Sequence, residues 1–319
     1  MSVISDSPVT RSANPGRPAP LSPSVRWSLS AYFVTVWGGG FVATRVALEY
    51  AAPFTYLGVR YTLAFLVALA AFGWRARWPT TRIQWGHVAV AGLLSHGAYL
   101  GGSYYAQNWG LSAGVTALIL ALQPLATALV VSRWFGVKLS LMQMIGVAVG
   151  LAGVALVVAH RVDAEALSGA SLLAVGWALA CVTAGTLYQR QFCHDVDLRS
   201  AVCIHFAATA LLMLPLGAAV EGFAIQWVPA IGWTLLYHVV PASIGAYSIL
   251  HLLLRRGEAT GVTSLLYLTP PVAAIGEWAI YGVAPSTVMW LGMFVACVGV
   301  AMVTSSRAAR KLPLVEETS

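Results

Sequence analysis

The chain is a succession of apolar runs separated by short polar gaps. A helix needs about 20 mostly apolar residues to cross a bilayer. Runs of that length fall near 27–46, 54–73, 85–106, 111–132, 141–159, 171–189, 201–220, 229–254, 260–281 and 286–305, which predicts ten membrane-spanning helices. Very short links join the third run to the fourth and the eighth to the ninth. Residues 1–26 are polar and proline-rich, with Arg11, Arg17 and Arg26, and read as a disordered cytoplasmic tail. No small-residue cleavage site follows the first apolar run, so a signal peptide is not expected. Residues 307–319 read as a second cytoplasmic tail.

The gaps carry the basic residues on one side. With the N-terminus in the cytoplasm, the inner side holds Arg75, Arg77, Arg82, Arg133, Lys138 and Arg190. Arg199, Arg255, Arg256, Arg307, Arg310 and Lys311 fall there too. The outer ends hold Arg45, Arg161 and Arg60. Cytoplasmic loops concentrate lysine and arginine in this way, so both termini are expected inside, in a cell (inner) membrane.

One stretch occurs twice. Ser95-His96-Gly97-Ala98-Tyr99 is matched by Ser243-Ile244-Gly245-Ala246-Tyr247. Gly110, Gly114, Val115 and Thr116 are matched by Gly257, Gly261, Val262 and Thr263, and Pro124 by Pro271. Gly146 with Gly153-Val154-Ala155 is matched by Gly292 with Gly299-Val300-Ala301. An offset held near 147 residues over this distance marks an internal duplication. Residues 27–160 and 161–306 form the two copies, of five spans each. An odd number of spans inverts the second copy relative to the first. Inverted repeats with glycine- and proline-broken helices are the architecture of secondary transporters, with substrate bound at midplane between the copies.

Composition narrows the class. Hydrophobic residues make up 59% of the chain and charged residues 9%, against about 25% in soluble domains, so most of the surface must face lipid. The net charge of +7 resides in the loop residues already placed, and nucleic-acid binding is not expected. Cys181, Cys193, Cys203 and Cys297 lack metal-ligand spacing and read as free thiols. A phosphate loop and His-Glu-x-x-His are missing and the histidines are dispersed, so neither ATP hydrolysis of the P-loop kind nor a catalytic set is expected. No cofactor is called for, and a monomer or weak homo-oligomer is the expected state.

Trp37-Gly38-Gly39-Gly40-Phe41-Val42-Ala43 resembles the first helix of the drug/metabolite transporter superfamily, EamA type. Leu57-Gly58-Val59-Arg60-Tyr61 resembles the opening of its second. The strongest match runs from Arg256-Gly257-Glu258-Ala259-Thr260 through Leu268-Thr269-Pro270-Pro271-Val272-Ala273. The resemblance implies ten spans, two inverted five-helix repeats and alternating-access movement of small metabolites, often outward. The family usually has Gly-Glu after the fourth and ninth spans. This chain has Gly136-Val137 and Gly282-Val283 there, with a different acid, Glu277, six residues upstream of Val283.

Polar groups within a bilayer face the bundle interior or a wet cavity. On the third span, helical spacing aligns His96, Tyr99, Ser103 and Gln107, and on the eighth, Ser243, Tyr247 and His251. The expected substrate contacts are Trp37, His96, Tyr99, Ser103, Gln107, Gln123, Tyr247, His251 and Tyr267; bonding between packed helices is the competing role. Pro124, Pro270 and Pro271 cannot donate to the fourth carbonyl back and are expected to kink their spans. Gly38, Gly39 and Gly40 permit a hinge or a close helix approach. Glu277 is the candidate proton carrier. Arg60 is expected in a structural ion pair with Glu49, or with Glu277. His205 and His238 are expected to pack without function.

The expected substrate is a small organic metabolite, first an aromatic or other neutral amino acid, exported by secondary active transport. Drug-like solutes or nucleotide sugars on the same fold are the alternatives, nucleotide sugars less so because phosphates want clustered arginines. A membrane-embedded enzyme or a scaffold is the remaining class.

Overall fold

The chain folds as a bundle of long helices, described in a computed structural model for residues 22–162, 168–246, 249 and 266–305. The helices α1 (Pro23–Leu48) and α2 (Pro53–Phe72) each start with proline in the first turn, where a missing N–H costs nothing. The third span combines α3 (Arg82–Gly92), a π-helical stretch over Leu93–Ala98, and α4 (Tyr99–Asn108). The fourth combines α5 (Ala113–Leu120) and α6 (Gln123–Phe135). Then come α7 (Leu141–Val162), α8 (Gly169–Phe192) and α9 (Leu198–Glu221). Helix α10 (Pro229–Tyr237) continues into a second π stretch, His238–Ala246. The last two are α11 (Thr269–Tyr281) and α12 (Thr287–Ser305).

Among the described residues, seven helical stretches are long and apolar enough to cross a membrane. The third span is diluted by its own polar stripe of Ser95, His96, Ser103 and Gln107. The expected eighth and ninth runs pass through residues outside the described set, as do Tyr247 and His251. Large apolar side chains such as Leu173, Leu211 and Phe294 are more than two-thirds exposed on the outside of the bundle. Facing them to hydrocarbon removes that apolar surface from water. The exposed arginines Arg75, Arg77, Arg82, Arg133 and Arg190 cap helices or connect them at one end of the bundle, called here the basic end.

Close backbone approach holds the bundle together. Among the described residues, helices α7 and α12 form the most extensive helix pair, and α2 with α9 the next. A Cβ on Gly146 would lie 2.8 Å from the Gly299 carbonyl oxygen, and one on Gly292 would lie 2.8 Å from the Gly153 carbonyl oxygen. Likewise Gly153 meets the Gly292 oxygen at 2.6 Å and Gly299 meets the Gly146 oxygen at 2.6 Å. Small residues permit such backbone contact, which dispersion then stabilises in a medium without a hydrophobic driving force.

At the end opposite the basic one, Glu221 at the C-terminus of α9 caps α2. Its carboxylate accepts from the Phe54 and Thr55 N–H groups at 2.9 and 2.8 Å, from Thr55 Oγ1 at 2.9 Å and from the Tyr105 hydroxyl at 2.6 Å. A negative charge at a helix N-terminus satisfies free donors and complements the dipole.

Two expectations about helix shape change. The fourth span is interrupted rather than kinked: a turn at Ala121-Leu122 separates α5 from α6, and Pro124 occupies the first turn of the new helix. Pro270 and Pro271 likewise open α11 after a turn at Tyr267-Leu268. Proline without an N–H ends one helix and starts the next more cheaply than it bends a continuous one. Conversely, α1 runs unbroken through Gly38, Gly39 and Gly40. Those glycines admit neighbours instead. A Cβ on Gly38 would lie 2.8 Å from a Val272 methyl, and one on Gly39 2.5 Å from the Tyr237 hydroxyl.

Candidate functional site

Midway along the helices is a cavity of about 330 Å³. Residues of both halves of the chain line it. Phe33, Trp37 and Phe41 of α1, with Leu100, Phe206 and Leu266, give it an apolar wall. A few polar groups interrupt that wall, the pattern of a small-molecule site. Each copy of the repeated motif contributes at its π stretch. Ser95 and His96 line the cavity from the first, and His238 and Ser243 from the second. A π turn inserts one residue per hydrogen-bonded ring and reorients the side chains around it, which is why such turns gather at functional sites. Ser243 uses the widened turn to donate to the His238 carbonyl at 2.7 Å.

The buried polar core of the cavity is an arginine among tyrosines and histidines. Arg60 of α2 is 8% exposed and donates through Nη1 to the Tyr104 hydroxyl at 2.6 Å. Its guanidinium also stands 5.1 Å from the centre of the Tyr61 ring. The Tyr61 hydroxyl and His96 Nδ1 share a hydrogen bond of 3.1 Å. Across the cavity, His238 Nε2 faces the Gly40 carbonyl oxygen at 3.1 Å, and its Nδ1 faces the Tyr56 hydroxyl at 2.8 Å. A carbonyl only accepts, so Nε2 carries the hydrogen and Nδ1 accepts from Tyr56. At the basic end, Gln123 Nε2 donates to Thr186 Oγ1 at 2.8 Å, and the lining residue Thr186 is exposed.

Of the expected substrate contacts, Trp37, His96, Tyr99, Ser103 and Gln123 line the cavity, and Pro124 does so beside them. Gln107 is buried one turn beyond Ser103 and does not line it. Tyr267 points away instead: its hydroxyl bonds to Thr304 of α12, and its ring packs with Leu122, Leu125 and Val300.

The expected Arg60–Glu49 pair is replaced by two other arrangements. Arg60 turns inward to Tyr104, while Glu49 accepts from Tyr281 at the end of α11. Glu277 is ion-paired with Arg45 of α1 and also accepts from the Gly114 N–H at 3.2 Å, outside the cavity lining. Arg45, three residues from the end of α1, reaches Glu277 because Gly276 lets α11 approach Val42 of α1, one turn before Arg45. The carboxyl expected to carry protons is thus neutralised by a cation and a helix N-terminus.

The cavity also takes residues that helical spacing did not single out: Arg60, Tyr61, Tyr104 and His238. One signal was available for the second helix. Tyr56 and Arg60 are four apart, so both fall on one face, which the tertiary structure turns inward.

This hollow, polytopic arrangement is that of a membrane transporter. The EamA-like transporter family model matches residues 27–159 and 168–305, and the chain belongs to that family. It is 26% identical to the transporter YvbV of Bacillus subtilis (strain 168) over 89% of this chain and 92% of that protein. It is 26% identical to a probable terminal-alkyne amino-acid exporter of Streptantibioticus cattleyicolor, over 89% of this chain and 95% of that one. A probable amino-acid metabolite efflux pump of Escherichia coli (strain K12) is 27% identical over 76% of this chain and 83% of that one. A solved crystal structure superposes with a TM-score of 0.63 at 20% identity, covering 89% of this chain and 97% of the other, which shows a shared fold. The chain is a multi-pass membrane protein, and the family and relatives are named as transporters rather than enzymes.

Proposed function

We propose that this protein is a secondary active transporter that exports small organic metabolites by alternating access, aromatic or neutral amino acids first among them. The observation that carries the reading is the mid-bundle cavity, lined from both halves of the chain, apolar in its walls and sparing in its polar groups. Two relatives named as an amino-acid exporter and an amino-acid metabolite efflux pump support the substrate class.

The architecture in this reading is ten spans in two inverted five-helix repeats, 27–160 and 161–306, with both termini cytoplasmic. The α7–α12 crossing supports it. The repeat pairs Gly146 with Gly292 and Gly153 with Gly299. A two-fold axis then turns the Gly146–Gly299 contact into the Gly292–Gly153 contact, and both occur at the same 2.8 Å. Such an isologous contact between antiparallel helices is what an axis in the membrane plane produces. In this conformation Thr186, Gln123 and Gln189 open the cavity toward the basic end. The opposite end is held by Glu221 on Thr55 and Tyr105 and by Arg45 on Glu277, which supports reading the state as inward-facing.

Counterflow in proteoliposomes tests the reading. Vesicles preloaded with phenylalanine, tyrosine or leucine should accumulate the labelled solute transiently, and vesicles without the protein should not. Absence of counterflow for every amino acid and metabolite tried would overturn it.

A further inference from the structure

Among the described residues that line it, the cavity has one permanent cation and no aspartate or glutamate. Arg60 is that cation. Only 8% of it is exposed. Its Nη1 has the Tyr104 hydroxyl, but its buried Nε has no hydrogen-bond partner. The acids nearest in the expected pairing, Glu49 and Glu277, are engaged with Tyr281 and with Arg45. Burying a charge without a counter-charge is costly, and a neutral hydroxyl and a ring face offset little of that cost. A buried guanidinium that keeps an unpaired N–H and, among the described residues, has no carboxylate bonded to it suits an anionic group on the solute, and a planar carboxylate matches guanidinium geometry. The phosphate alternative fits less well, because one arginine offers one fork and phosphates gather several cations.

We propose that Arg60 anchors the carboxylate of the transported solute, so that the cavity selects an acid with an apolar or aromatic body and requires no ammonium group. The reading rests on the transport function proposed above and names its recognition element. The aromatic wall of Trp37, Phe33 and Phe41 receives the body of the solute, while Arg60 and its Tyr104 and Tyr61 neighbours receive the head. An ammonium group on the same solute meets hydroxyls and imidazoles there but no fixed negative charge among the described residues. A zwitterion therefore binds through its carboxylate alone, and a plain carboxylic acid binds at least as well.

The test uses the full-length protein and four probes with one ring and one linker: 3-phenylpropanoate, phenylalanine, 3-phenylpropanamide and phenethylamine. Thermal stabilisation in detergent and counterflow in proteoliposomes are read for each. The expected order places 3-phenylpropanoate and phenylalanine ahead of the amide and the amine. Arg60→Gln should weaken the two acids about tenfold or more and leave the amide unchanged, and Arg60→Lys should fall between. Equal binding of acid and amide by the unaltered protein would overturn the proposal, whether or not the variants fold. So would acid affinity unmoved by Arg60→Gln, or phenyl phosphate stabilising more than 3-phenylpropanoate. Counterflow of the amide equal to that of the acids would sink the carboxylate anchor and leave transport standing. Absence of counterflow for all four, with no binding, would sink both.

Discussion

The α7–α12 crossing and the central cavity both form where the two halves of the chain meet, yet they are built by opposite rules. The crossing is symmetric, dry and made of backbone: Gly146, Gly153, Gly292 and Gly299 bring each helix onto the other's carbonyls. The cavity is asymmetric, wide and made of side chains. The first half supplies Arg60, Tyr61, His96 and Tyr104, and the second supplies His238, Ser243 and Phe206. Packing tolerates a repeated sequence because one small residue fits against another from either side. Recognition does not, because a solute with a head and a body is itself asymmetric.

Substitutions can break each side of this comparison. The largest effect belongs to Gly153→Leu. A side chain there meets the Gly292 carbonyl oxygen at 2.6 Å and backbone that cannot rotate away. A loss of about 3 kcal/mol or more is expected, seen as collapse of the monodisperse peak in size-exclusion chromatography. Glu277→Gln comes next, because it strands Arg45. Breaking a fully buried pair costs about 3–5 kcal/mol, and Arg45, 36% exposed, recovers part of that in water. A fall of about 2 kcal/mol is expected, with part restored when Arg45→Met is added. A double variant no more stable than the single one would show that the pair is not the cause.

Smaller changes sharpen the cavity side. Tyr56→Phe removes the donor to His238 Nδ1 and leaves a buried acceptor unpaired, at a cost of about 1–2 kcal/mol. Thermal unfolding should register it, and ligand binding should weaken as His238 loses its fixed orientation. The smallest effect is a gain. Gly86 is exposed in α3, with nothing within 4 Å of a Cβ placed on it. Gly86→Ala should stabilise by about 0.5–1 kcal/mol through helix propensity alone. If Gly86→Ala cost as much as Gly153→Leu, glycine spacing would carry no information about which helices touch.

Apolar length by itself determined the helices of the described residues, because a bilayer leaves a chain segment few ways to satisfy its backbone. The proline positions marked where spans stop, although the sequence pointed to bends and the structure has turns between separate helices. Five cavity contacts, from Trp37 to Gln123, were legible because a polar group in an apolar run must turn inward. Gln107 and Tyr267 show the limit of that rule: inward includes other helices as well as the hollow, and Tyr267 found Thr304.

Which charge meets which was not legible. Arg60 and Glu49 lie close in sequence at adjoining helix ends, and pairing them was reasonable. The rotation of α2 about its axis turned Arg60 to Tyr104, and the packing of α1 on α5 and α11 gave Glu277 to Arg45. His238 became a cavity residue for the same reason, through Tyr56 and Gly40 on two other helices. Membrane insertion is decided segment by segment and is written along the chain. Side-chain partnership depends on how helices rotate against one another, and those distances exist only once the bundle has closed.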